Sequence, residues 1–248
     1  MLVLIAAIAL LSVPPRDFSI LFIGNSHTRV NDVPGTVKSL LEATPGVGHV
    51  TVRTRLVTLL NGLAPQQVQA EFSRQTYNVV VLQGASLSSS HHYYYSQDGG
   101  IAVAKAARAL GARVLLYAEW SRRGWDESDF IVDGYREIAT PTNAEIIDVP
   151  HVFDIVHKQF PTVELWQPDG NHATPAGSGI AAHTIYRWIL GLPQKGVPPV
   201  PQNGEPSFLK VADAAAINAY RRWHPQPQPV RKKNSTSKRP ARRHTATQ

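Results

Sequence analysis

The most informative segment of the chain is Ser19-Ile20-Leu21-Phe22-Ile23-Gly24-Asn25-Ser26-His27-Thr28. Its first half is a continuous apolar run, which is typical of a parallel β-strand buried on both faces. The run stops at a glycine and presents a serine just afterwards. Ligands of parallel α/β sheets bind outside the carboxyl ends of the strands, and a serine at such a strand-to-helix turn is suited to be a nucleophile. The stretch therefore predicts an α/β protein with Ser26 at the edge of its sheet.

Apolar runs alternate with segments of helical period along the rest of the chain, as in repeated βα units. The predicted strands are 18–24, 50–57, 77–82, 113–117 and 145–148, and the predicted helices are 33–43, 65–75, 100–110, 130–139, 152–160, 175–190 and 207–223. In the second strand we expect Val50, Val52 and Leu56 to share one face. The predicted fold class is α/β, a three-layer α/β/α architecture around a flavodoxin-like, doubly wound parallel sheet of about five strands.

The two ends of the chain differ in composition from its middle. Residues 1–15 hold an apolar run that is too short to span a bilayer and is typical of a signal peptide or N-terminal anchor, with a buried first strand as the alternative. Residues 16–191 form the predicted α/β domain, 192–206 a proline-rich linker, 207–224 a C-terminal helix packing on the domain, and 225–248 a disordered basic tail. We therefore expect export to the periplasm or beyond, either free or anchored to the membrane by the first segment.

The formal charge of +7 comes from the end of the chain. Residues 231–243 carry seven positive charges and no negative one, so the rest of the chain is near neutrality. We therefore expect no specific nucleic-acid partner, although the tail is suited to contact anionic surfaces. The chain has no cysteine, which excludes disulfides, thiol catalysis and cysteine-ligated metals. We expect a monomer.

Asp169-Gly170-Asn171-His172 is the second informative motif. An aspartate three residues before a histidine, in a turn ahead of the Thr174-Pro175 helix start, can supply both the base and the group that orients it. A serine hydroxyl needs such a base within hydrogen-bond reach. Each motif alone also has an ordinary structural explanation, a helix cap for Asn25-Ser26 and a surface turn for Asp169 and His172. Together they predict a Ser-His-Asp triad.

These motifs resemble those of the SGNH (GDSL-like) hydrolase superfamily. The stretch 20–28 resembles its first block, with Asn25 where many members have Asp. The stretch 79–86, Val-Val-Val-Leu-Gln-Gly-Ala-Ser, resembles the third block of one bacterial branch, with Gln83 where most members have an oxyanion Asn. Residues 169–172 and 177–182 resemble the last block. The resemblance covers about residues 18–190 and depends on the order and spacing of all three blocks.

The resemblance implies ester hydrolysis through an acyl-enzyme, without a metal or an organic cofactor. It assigns Ser26 as nucleophile, His172 as base and Asp169 as its orienter. It also implies an oxyanion hole formed by the Ser26 N–H, the Gly62 N–H and the Gln83 side chain. The extra methylene of Gln83, compared with Asn, moves its amide by about 1 Å, and loss of one oxyanion donor costs about 3–4 kcal/mol of transition-state stabilisation.

Four further residues are candidates for substrate binding. Asn25 lies beside the nucleophile, and Trp120, which follows the fourth strand, is expected at the mouth of the cleft, where it would line a pocket or cover the sheet edge. His91 and Tyr93 lie in a loop after the third strand, where an aromatic ring could stack on a sugar. A metal site at His91 and His92 is not expected, because adjacent histidines point in different directions in most backbones.

The leading hypothesis is a serine esterase acting on small acyl esters, acetyl esters above all, with glycan esters as the favoured substrates. The expected export and the loop aromatics favour a sugar. The alternative is a weakly active or inactive scaffold that binds carbohydrate or an anionic surface, which Gln83 and the basic tail would support.

Overall fold

The computed structural model describes residues 14–84, 95–191 and 206–225. The central sheet has five strands: β1 (Arg16–Gly24), β2 (Val47–Leu56), β3 (Val79–Leu82), β4 (Arg113–Tyr117) and β5 (Glu145–Ile147). Its spatial order is β2-β1-β3-β4-β5, and every pairing is parallel. This is the flavodoxin-like order, in which the strand order reverses beside β1. The predicted fold class is confirmed.

The helices are α1 (Ser26–Arg29), α2 (Val33–Glu42), α3 (Pro65–Phe72), α4 (Asp98–Ala109), α5 (Ser128–Thr142), α6 (Val149–Gln159), α7 (Pro175–Leu190) and α8 (Ser207–Trp223). Short 3₁₀ turns occupy Val30–Asp32 and Leu60–Gly62. As predicted, Thr174 caps α7, since its hydroxyl accepts from the Gly177 N–H, and Pro175 follows at the first position.

Two apolar cores lie on opposite faces of the sheet, so the architecture has three layers. The alternation of β1 divides its side chains between them: Phe22 contributes to the core beneath α2, α6, α7 and α8, and Ile23 to the core beneath α3, α4 and α5. Both side chains are fully buried. The continuous apolar run of β1 is explained by this burial on both faces.

Several element ends differ from the prediction. The second strand begins at Val47 and ends at Leu56, and Leu56 does not share the burial of Val50, since it is 51% exposed. The reason is its register: Leu56 pairs with Gly24, the last residue of β1, and therefore lies at the open carboxyl edge.

The last described helix, α8, packs against α6 and α7. A buried ion pair between Arg187 of α7 and Asp213 of α8 joins two of these helices. None of the helices in the described ranges combines the length and the apolar composition that a membrane span requires. The predicted N-terminal segment, linker and basic tail fall almost wholly outside the described residues.

Candidate active site

The junction between β1 and α1 presents Ser26. Asn25 caps α1, because its side-chain oxygen accepts from the His27 N–H at 3.0 Å. The Asn25 amide nitrogen lies 3.3 Å from the Thr58 carbonyl oxygen, which ties the junction to the segment after β2. Ser26 is the first residue of the helix, so its N–H has no carbonyl partner within α1. This N–H is therefore suited to meet a negative charge at the helix start.

Gly24 is required at the end of β1 because there is no room for a side chain. A Cβ built at this position would lie 2.1 Å from the Thr28 Oγ1 and 2.9 Å from the Gln83 Oε1. Both distances are far below normal contact. The tight approach lets the end of β1, the first turn of α1 and the residue after β3 meet at one point.

Gln83 is completely buried behind this junction. Its Oε1 accepts hydrogen bonds from the Asn25 N–H at 2.9 Å and from the Thr28 hydroxyl at 3.0 Å. The Asn25 N–H fixes the orientation of the amide, since a flipped amide would bring two donors together. The Nε2 group is buried without a partner among the described residues. In this structure Gln83 thus positions the backbone that leads into Ser26.

The turn 169–172 carries the other two candidate residues. The Asp169 Oδ1 accepts from the N–H groups of Asn171 and His172, each at 2.9 Å. Gly170, between Asp169 and Asn171, has φ +70°, a conformation that favours glycine. The turn is thus folded around the carboxylate, which leaves Oδ2 free to face the imidazole.

The structure brings Ser26, His172 and Asp169 into one hydrogen-bonded chain. The His172 Nε2 lies 2.9 Å from the Ser26 Oγ, and the His172 Nδ1 lies 2.6 Å from the Asp169 Oδ2. The hydrogen bond from the His172 ring, followed by that from the Asn171 N–H, lowers the pKa of Asp169 to about 2. The carboxylate is therefore ionised at any physiological pH and holds the proton of His172 on Nδ1, with Nε2 facing Ser26.

Two aromatic side chains support the His172 ring from within the protein. The His27 ring stacks on it with 5.3 Å between centroids, and the Trp120 ring meets His27 edge-on at 5.0 Å. His27 is buried, and this burial lowers its pKa below the usual range, which favours a neutral ring beneath His172. Trp120 is only 3% exposed, a position that differs from the expected place at the cleft mouth. Its indole N–H donates to the Asn171 carbonyl at 2.9 Å.

Further hydrogen bonds hold the turn against the rest of the site. The Asn31 amide donates to the Ala173 carbonyl at 3.0 Å and to the Ser178 hydroxyl at 2.9 Å, linking the chain after α1 to the start of α7. The Arg123 N–H donates to the Gly170 carbonyl at 2.8 Å. Asn31 adopts a positive φ of 57° to make its contacts. Asn31 was not predicted to belong to the site, although Asn is among the few residues that tolerate this conformation.

A cleft of about 370 Å³ opens beside Ser26. It is lined by Asn25, Ser26, Arg29, Leu56, Val57 and Thr58. Arg29 and Leu56 were not predicted to belong to the site. The signals were present, however: Arg29 follows Ser26 by three residues on the same helix face, and Leu56 ends the strand beside β1.

The remaining predicted site residues are Gly62, His91 and Tyr93. The Gly62 N–H, expected to face the oxyanion, donates instead to the Leu59 carbonyl at 3.1 Å in this structure. Its oxyanion role stays a prediction. His91 and Tyr93 lie outside the described residues. In the described part of the chain, no group of three or more His, Cys, Asp or Glu side chains is arranged to hold a metal ion.

No family model matches this chain, and no curated protein sequence matches it. Solved structures do. A protein from Slackia heliotrinireducens that is assigned to the SGNH hydrolases is 25% identical with a TM-score of 0.52, over 71% of this chain and 99% of that one. A DUF4886 family protein from Bacteroides uniformis is 17% identical with a TM-score of 0.59, over 82% and 94% of the two chains. A lipase/acylhydrolase from Enterococcus faecalis is 17% identical with a TM-score of 0.52, over 70% and 95%. The sheet order and these likenesses together lead to one conclusion: the chain has the fold of the SGNH (GDSL-like) hydrolases.

Proposed function

We propose that the protein is a serine esterase that hydrolyses small acyl esters through Ser26, His172 and Asp169. The observation that carries the proposal is the hydrogen-bonded chain from Ser26 Oγ through both ring nitrogens of His172 to the Asp169 carboxylate. This is the arrangement that general-base activation of a serine requires. The SGNH fold agrees with it, and one protein with this fold, from Enterococcus faecalis, is described as a lipase/acylhydrolase.

The reaction proceeds in two halves. The Ser26 Oγ attacks the ester carbonyl carbon while the His172 Nε2 takes the hydroxyl proton, and a tetrahedral oxyanion forms. The C–O bond to the alcohol then breaks, and His172 returns the proton to the leaving oxygen. Water attacks the acyl-enzyme in the same way, with His172 again as base, and releases the carboxylic acid and free Ser26. Asp169 stabilises the imidazolium in both halves.

The oxyanion needs preorganised donors, and we assign the first to the Ser26 N–H at the start of α1. Gln83 acts on it indirectly, because its Oε1 holds the preceding Asn25 N–H in place. The Gly62 N–H is the proposed second donor. It would have to exchange its bond to the Leu59 carbonyl for one to the oxyanion.

We further propose that the substrates are short acyl esters, with acetyl groups on a carbohydrate as the favoured class. The small volume of the cleft supports a short acyl chain. We also propose that the protein is exported, which rests on the apolar N-terminal sequence alone.

The test is hydrolysis of para-nitrophenyl acetate by the full chain and by the Ser26→Ala variant. We expect a loss of kcat of more than about 10³-fold, because removing a triad member leaves only the residual catalysis of the rest of the site. Ser39→Ala, an exposed serine on α2, is the matched control and should keep wild-type turnover. Labelling by a fluorophosphonate, read by intact mass, should occur in wild type and not in Ser26→Ala.

Equal turnover and equal labelling in wild type and Ser26→Ala would overturn the esterase proposal. The protein would then be a scaffold without this chemistry. Acetylated xylan and acetylated monosaccharides, assayed by acetate release, test the proposed substrate class.

A further inference from the structure

We propose that Arg29 binds a negatively charged group of the ester, so that the preferred substrates are anionic esters. The proposal rests on the esterase function and names the substrate class that the same cleft would select.

Arg29 lies one helical turn beyond Ser26. Residues three apart in a helix share a face, and their Cα atoms are separated by about 4.5 Å along the axis. Both residues line the same cleft. A guanidinium on this face can therefore reach a group bound a few bonds away from the carbonyl that Ser26 attacks.

The charge of Arg29 is not used elsewhere in the described part of the chain. Its side chain is exposed, and no carboxylate of a described residue lies within ion-pair distance of it. None of the described residues that line the cleft is acidic. The carboxylate of the proposed triad, Asp169, already accepts from His172 and two backbone N–H groups. The cleft therefore offers a full positive charge to whatever binds there.

Part of the cleft lining is apolar. Leu56 is 51% exposed at the end of β2, and Val57 follows it. An apolar part of a ligand that covers this exposed leucine removes apolar surface from water, which favours binding. The cleft thus fits a small ester that combines a short apolar segment with an anion. A carboxylate is the best match, because its two oxygens fit the fork of donors on arginine.

The anion could belong to the acyl group or to the alcohol, and two substrate pairs distinguish them. The acyl pair is para-nitrophenyl hydrogen glutarate and para-nitrophenyl valerate. The alcohol pair is para-acetoxybenzoate and its methyl ester. For each pair we would measure kcat/KM of the anionic and the neutral ester, after subtraction of spontaneous hydrolysis, and compare wild type with Arg29→Gln at low ionic strength.

For at least one pair, the ratio of anionic to neutral kcat/KM should fall by about five- to tenfold in Arg29→Gln. The pair that responds identifies the half of the ester that carries the charge. Arg29→Lys should retain part of the ratio, since it keeps the charge but loses the fork of donors that matches a carboxylate. Added salt should lower the ratio of the wild type and not that of Arg29→Gln.

Lys210→Gln is the charge control. It removes one positive charge from α8, no residue of which lines the cleft, and it should leave both ratios at the wild-type value. Thermal unfolding of each variant checks that the fold is intact. If Arg29→Gln leaves both ratios unchanged while Ser26→Ala abolishes all hydrolysis, the anion proposal is wrong and the esterase proposal stands. If Ser26→Ala retains hydrolysis, the esterase proposal itself fails.

Discussion

The indole N–H of Trp120 donates to the carbonyl of Asn171, and this bond ties the loop after β4 to the turn that carries Asp169 and His172. The same indole contacts His27, whose ring stacks on His172. Trp120 thus supports the proposed base twice, once through the backbone of its turn and once through a stack of rings.

Trp120→Phe should lower kcat for para-nitrophenyl acetate by about 10- to 100-fold and change KM much less. The variant keeps an aromatic ring but loses the donor to Asn171, and misplacing a catalytic group by about 1 Å has an effect of this size. Steady-state kinetics measures the effects on kcat and on KM separately. Trp125→Phe, at a tryptophan that is 56% exposed, is the control. An equal effect of both substitutions on kcat would contradict the positioning role of Trp120.

The pH dependence of kcat/KM should show one acid limb above about pH 4. An imidazole base works only when neutral, so activity should fall toward acid pH as the base takes up a proton. The pKa of Asp169 is lowered to about 2, so its carboxylate stays ionised above about pH 4 and adds no second limb. A buffer series with a stopped assay measures the profile. A flat profile would speak against His172 as the base.

Gly24→Ala should destabilise the protein by about 1–3 kcal/mol, the usual cost of overpacking. The new methyl group would overlap the Thr28 Oγ1 and press on the Gln83 Oε1. Urea denaturation measures the free energy of unfolding. Adding Thr28→Ala removes the nearer of the two atoms and should recover part of the loss, apart from its own effect as a single variant. Strict additivity of the two substitutions would show that overlap with the Thr28 hydroxyl is not the cause of the destabilisation by Gly24→Ala.

Asp213→Asn should lower the free energy of unfolding by about 3–5 kcal/mol at neutral pH, because it leaves the buried Arg187 without its partner. Burial alone would raise the pKa of Asp213, but the nearby His183 and the hydrogen-bonded ion pair with Arg187 outweigh it and lower the pKa. A lowered folded pKa contributes stability above the unfolded value of about 3.9, and this stability is lost as pH falls through the folded value.

The difference in free energy of unfolding between wild type and Asp213→Asn should therefore decrease below about pH 4. Chemical denaturation at a series of pH values measures it. Asp133→Asn is the control, since the Asp133–Arg136 pair is on the surface with both side chains more than half exposed, and it should cost less than about 1 kcal/mol. If this difference in free energy of unfolding stays constant into the acid range, the ion pair is not the cause of the destabilisation by Asp213→Asn.

Most of the fold was predictable because it is encoded in short-range patterns. The apolar run of β1 predicts a central strand buried on both faces, and the strand–helix alternation predicts the parallel sheet. The start of α7 was readable from Thr174 and Pro175, since caps act within one turn. Element ends were less predictable, because partner strands decide where pairing stops, as for Leu56 beside Gly24.

Local patterns along the chain were enough to predict the sheet and the position of Ser26 at its carboxyl edge. The contact between Ser26 and a histidine 146 residues away depends on the folded chain. Three features of the site are visible only in the folded chain: Trp120 lies beneath the site, Gln83 turns its oxygen to the Asn25 N–H, and Arg29 and Leu56 line one cleft. A strand or a helix cap depends on neighbours along the chain, whereas the direction of a side chain at the sheet edge depends on elements that packing brings together from distant parts of the sequence.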